Sequence, residues 1–111
     1  MLGSLDPEEE RLLIEFGRRA RAAFPEQIAD VMLYGSRARG DQNAESDIDI
    51  AVITRDSDWQ LADGIRKIGY DLDETIDYRF SIVVVPQARV RYMREHGFQF
   101  LRNISADAVH V

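Results

Sequence analysis

Two aspartates one residue apart, Asp47 and Asp49, follow a Gly35-Ser36 pair across a ten-residue interval, in VMLYGSRARGDQNAESDIDIAVIT. A glycine between an apolar run and a helix start lets the backbone approach a ligand closely, and the N–H groups of a helix start favour anions such as phosphate. Ser36 adds a hydroxyl donor there. On a strand successive side chains alternate between faces, so Asp47 and Asp49 share one face while Ile48 and Ile50 share the other. Adjacent carboxylates repel unless a cation sits between them, and Mg²⁺ is typically held by one or two carboxylates together with substrate phosphates. A phosphate cradle beside a metal site describes nucleotidyl transfer.

Those residues need two strands with a turn and a short helix between them. The apolar run Val31–Tyr34 and the run through Ala51, Val52 and Ile53 supply the strands. We expect a strand over Asp30–Tyr34, a turn and brief helix over Ser36–Gly40, and a polar loop over Asp41–Ser46. Upstream, Leu5–Phe24 reads as a helix: Asp6-Pro7 is a cap with proline at the first helical position, and Leu12, Leu13, Phe16, Ala20 and Ala23 recur at helical spacing. Glu8, Glu9 and Glu10 suit the positive end of its dipole, and Arg18, Arg19 and Arg21 the negative end. Downstream, a helix is expected over Asp56–Leu72, a third strand over Tyr78–Val85, and a short helix over Arg89–Gly97. The segment from Phe98 on either completes the core or offers a partner surface. The expected fold class is α/β (α+β): a small mixed sheet of three or four strands with helices packed on one face.

Composition bounds the rest. The 111 residues suit one domain spanning 1–111, with 45% hydrophobic and 31% charged residues arguing against disorder. Without cysteine there is neither a disulfide framework nor a thiolate metal site. His96 and His110 lack metal-ligand spacing. No apolar stretch reaches membrane-spanning length and the start is acidic, so a cytoplasmic chain without membrane association is expected. The net charge of −6 disfavours a general nucleic-acid binder, although Arg89, Arg91 and Arg94 cluster locally.

The Gly35-Ser36 pair, Arg37-x-Arg39-Gly40, Ser46 and Asp47-x-Asp49 at this spacing resemble the signature of the DNA polymerase beta-like nucleotidyltransferase superfamily, in its minimal single-domain branch. That branch includes antitoxins paired with HEPN-domain toxins. The resemblance implies Mg²⁺-dependent transfer of AMP from ATP to a tyrosine hydroxyl of the partner toxin. It implies Asp47 and Asp49 as catalytic, metal-binding carboxylates, and Gly35, Ser36, Arg37, Arg39 and Ser46 as nucleotide-binding residues. A third carboxylate on the neighbouring strand is common in the superfamily. Here the strand interior offers only Arg79 and Ser81 as polar positions, and Asp77, just before it, is the nearest acid. Two other readings stay open: a binding antitoxin that neutralises its HEPN partner by occlusion, and a small-molecule nucleotidyltransferase. As a single domain the chain is expected to lack a second domain that grips the acceptor, so the minimal core, a second copy or another protein is expected to hold it.

Overall fold

The computed structural model describes residues 2–40 and 47–111, so Ser46 and the expected polar loop lie outside the described residues. Helix α1 spans Pro7–Ala23. The Asp6 carboxylate accepts from Glu9 N–H at 2.8 Å, and Glu9 accepts in return from Asp6 N–H at 3.0 Å. This reciprocal cap satisfies two amide donors that the helix cannot satisfy itself. Replacing Asp6 by alanine should therefore cost about 1 kcal/mol of stability in urea unfolding. Leu12, Leu13, Phe16 and Ala20 form its buried face.

Strand β1, Ile28–Tyr34, starts two residues earlier than the apolar run suggested, through a register irregularity between Ile28 and Asp30. Helix α2 is the single turn Ser36–Arg39, and β2 follows at Ile48–Thr54. Helix α3, Trp59–Leu72, is capped by Asp58 and runs into a 3-10 turn over Asp73–Ile76. Strand β3 is Phe80–Pro86, α4 Gln87–Glu95, α5 Gln99–Asp107 and β4 Val109–His110. Asp77 and Tyr78 are both left-handed (φ 58° and 56°), which delays β3 by two residues relative to the expected start at Tyr78. The fully buried Asp73 accepts from Phe80 N–H at 3.0 Å and pins that start.

The sheet order is β3-β2-β1-β4, with β2 and β3 parallel and the other neighbours antiparallel. A parallel pair needs a long crossover, and α3 supplies it. Val31 and Leu33 of β1, Ile48, Ile50 and Val52 of β2, and Phe80 and Ile82 of β3 pack against α1 and α3. Gly69 lets α3 approach closely: a Cβ there would collide with Ile82 Cδ1.

The opposite face is not bare. Met32 and Ala51 are buried with Ile104 of α5, flanked by Tyr34, Ile53, Val83 and Phe100. Helices thus cover both faces, which corrects the expectation of one covered face. The physical reason lies in two patterns: β2 is apolar on both faces, as buried strands are, and Phe100, Leu101 and Ile104 recur at helical spacing, so the C-terminal segment closes the second layer as α5. Among the described residues no helix is long and apolar enough to cross a membrane.

Candidate functional site

Tyr34, the last residue of β1, pairs with Asp49 of β2, so the two side chains leave the sheet on the same face. The next residue, Gly35, has φ 78°, a conformation that glycine adopts without steric cost. Its carbonyl accepts from the N–H groups of Ala38 and Arg39 at 3.1 and 3.2 Å, which winds α2. A Cβ at Gly35 would lie 2.5 Å from Asp49 Oδ2. The carboxylate thus occupies the space that a side chain at 35 would need, and the turn and the DxD pair meet there. Gly35→Ala should displace both groups; with misplacements near 1 Å costing about 10²-fold, transfer should fall by that order in a steady-state assay while the far-UV circular dichroism persists.

Asp47 precedes β2 and is exposed, whereas Asp49 is half-buried. Burial first, and the Asp47 charge second, raise the Asp49 carboxyl above the usual carboxylate range. A cation between the two would relieve both effects. Among the described residues no group of three or more His, Cys, Asp and Glu side chains gathers to hold a metal. The donor set of two carboxylates still fits Mg²⁺, which retains waters and completes its shell with substrate phosphates. Ser36, half-buried, opens α2 on the other side of Gly35.

The two arginines diverge. Arg37 is 1% exposed and ion-paired with Glu9, itself 2% exposed. Arg37 faces inward toward α1, since a helix of one turn cannot present residues two apart on one face; of the two arginines, at most one of which is expected to reach the triphosphate, it is Arg39 that points outward. Arg39 points outward, nearly half exposed, and its guanidinium donates to Asp107 of α5 at 2.7 Å. It remains the candidate for a phosphate oxygen.

Register settles which residue of β3 stands beside the pair. Ile48 N–H donates to Arg79 C=O at 2.9 Å, and Asp49 pairs with Ser81. In a parallel pair these side chains share a face, so Ser81 borders Asp49. Asp77 lies four residues earlier, outside the strand, with its side chain 89% exposed and 3.9 Å from the Arg79 guanidinium. The structure does not bring it to Asp49.

Two residues escaped the sequence reading. Tyr34 stands on the Asp49 face, and burial, then the Asp49 charge, raise its phenol. Its ring meets Phe100 of α5 edge-on at 5.8 Å. Strand parity before Gly35 could have flagged it. Glu9 read as a dipole residue; only its burial identifies it as the partner of Arg37.

The profile of the family described as polymerase beta, nucleotidyltransferase, matches residues 21–97, which include the turn, both aspartates and β3. The chain belongs to the polymerase beta nucleotidyltransferase family. It is a nucleotidyltransferase, and a Methanocaldococcus jannaschii protein named "putative protein adenylyltransferase" is 40% identical over 98 residues, 86% of this chain and 90% of that one. Two crystal structures share the fold. A "putative nucleotidyltransferase" from Sulfolobus solfataricus aligns with TM-score 0.53 and 20% identity over 93% of this chain and 81% of its own. A mutant of the toxin–antitoxin MntA-HpeT aligns with TM-score 0.53 and 18% identity over 91% and 70%.

Proposed function

We propose that this chain, acting as a single minimal domain, transfers AMP from ATP to a hydroxyl of a partner protein, a tyrosine of a HEPN-domain toxin. The observation that carries this reading is the close approach of the Asp49 carboxylate to the Gly35 turn, where a Cβ at Gly35 would lie 2.5 Å from Asp49 Oδ2; it supports a phosphate cradle and a metal carboxylate side by side. The name of the 40% identical relative supports a protein acceptor, and the toxin–antitoxin structure sharing the fold supports a toxin as that acceptor.

On this reading Gly35 and Ser36 hold the triphosphate at the start of α2, and Arg39 meets its charge from the rim. Asp47 and Asp49 would hold Mg²⁺, which would supply positive charge against that developing on the phosphate oxygens. The acceptor oxygen attacks the α-phosphorus in line. The bond to the β-phosphate oxygen breaks, pyrophosphate leaves, and the hydroxyl proton passes to a base or to water. Catalysis here rests mainly on position and electrostatics.

Ser81 favours a second reading. A hydroxyl beside Asp49 can donate or accept a hydrogen bond but cannot take up the acceptor's proton as a carboxylate would. A binding antitoxin that occludes its HEPN partner would need no such base. Labelled ATP separates the two: incubated with the chain, Mg²⁺ and the HEPN protein, label at the α-phosphate should become protein-bound and label at the γ-phosphate should not. Toxin inhibition with neither label transferred would leave occlusion in its place.

A further inference from the structure

On the sheet face that carries Asp49, a groove of about 690 Å³ lies between the sheet, α4 and α5. Met32, Ile53 and Ile104 contribute to its apolar lining, and Arg91 and Arg94, three apart on α4 and both exposed, stand on its α4 side. Phe100 links the groove to the candidate site, since it lines the one and meets Tyr34, the register partner of Asp49, at the other. Along β2, Asp49 and Ile53 share this face four residues apart, about 13 Å at the rise of a strand.

Charge is distributed unevenly around it. The chain has a net charge of −6, yet α4 sets Arg89, Arg91 and Arg94 against Glu95 alone. Neither Arg91 nor Arg94 forms an ion pair among the described residues. Where α4 passes into α5, outside the groove lining, Tyr92 is 53% and Phe98 42% exposed, with their rings edge to face at 5.9 Å. A partly apolar groove that carries two exposed guanidinium groups on its α4 side, with the Asp30 carboxylate held by His110 on its β1 side, complements a segment that has an apolar anchor and carboxylates facing α4.

We propose that the α4–α5 groove docks the acceptor protein through an acidic, apolar-anchored segment of that protein, about 13 Å along the sheet from the carboxylates that act on its hydroxyl. This rests on the protein-acceptor reading above. The spacing sets the partner's geometry: the anchor and the modified hydroxyl are separated by about nine residues if the segment is helical, or about four if it is extended.

The test uses the full chain and the HEPN protein as probe. Binding is measured by titration calorimetry at two salt concentrations, and transfer by acceptor and ATP kinetics. Arg91→Glu with Arg94→Glu should weaken HEPN binding by about tenfold or more and raise the acceptor KM in step, leaving the ATP KM unchanged. Ser105→Trp, on the exposed α5 side of the groove, should do the same without altering charge. Asp47→Asn with Asp49→Asn should abolish transfer and retain binding. HEPN binding unchanged in both groove variants would overturn the docking site. So would a dimer of this chain, or affinity for a single-stranded RNA oligonucleotide, that is lost in those variants while HEPN binding persists. Groove-dependent binding without transfer would keep the docking site and refute the transfer reading; absence of both binding and transfer would refute both.

Discussion

Asp47→Asn with Asp49→Asn should abolish Mg²⁺-dependent transfer, by about 10³-fold or more given what electrostatic groups at such sites contribute, and should leave the fold intact. The apo protein should melt at a higher temperature, not a lower one. Asp49 has its carboxyl raised by burial and by the Asp47 charge, so the folded state binds the proton more tightly than the unfolded chain. A raised carboxyl contributes stability that is lost as pH rises from the unfolded pKa through the folded one, leaving a penalty at neutral pH. Asparagine carries no charge to desolvate and removes that penalty. Its advantage should shrink as pH falls below the unfolded value. Calorimetry across pH, with and without Mg²⁺, checks the sign: the wild-type chain should gain thermal stability from the cation, and the double variant should gain none.

The second large effect lies beneath the turn. Glu9 and Arg37 are a buried ion pair, and Glu9 also accepts from Asp6 N–H to close the α1 cap. Arg79 of the β3 approach lies 3.8 Å from the second Glu9 oxygen. Removing one partner of such a pair strands a buried charge. Arg37→Met should therefore cost about 3–5 kcal/mol in urea unfolding, a large share of the 5–15 kcal/mol that holds a typical domain. Adding Glu9→Gln should recover much of that loss, since glutamine is neutral and can still accept the capping bond. A double variant no more stable than Arg37→Met would place the loss in packing and not in the stranded carboxylate.

What could be read in the sequence was what is local in the chain. Gly35, Ser36, Asp47 and Asp49 lie within one β1–α2–β2 passage, and alternation along a strand assigns both carboxylates to one face. The Asp6 cap was equally legible, because cap and helix are neighbours. Ser81 required the parallel register of β2 with β3, set across the whole of α3 and fixed by the left-handed residues Asp77 and Tyr78, which no periodicity encodes. The burial of Arg37 depends on Glu9, in a helix 28 residues away, and each residue alone resembled a surface charge. The second helical layer was hidden because the apolar residues from Phe98 on suit a core and a partner surface equally; Ile104 is buried in the core and Phe98 is exposed, a division that the apolar pattern does not reveal.

Intact-mass spectrometry of a co-expressed HEPN protein tests the central claim most directly, after incubation with this chain, ATP and Mg²⁺ beside the Asp47→Asn control. The account predicts a mass increase of one or more AMP units in the presence of the wild-type chain and none in the control. An unmodified HEPN protein whose activity is nevertheless inhibited would contradict it, and would leave the converging turn and carboxylates as the remnant of an activity replaced by binding.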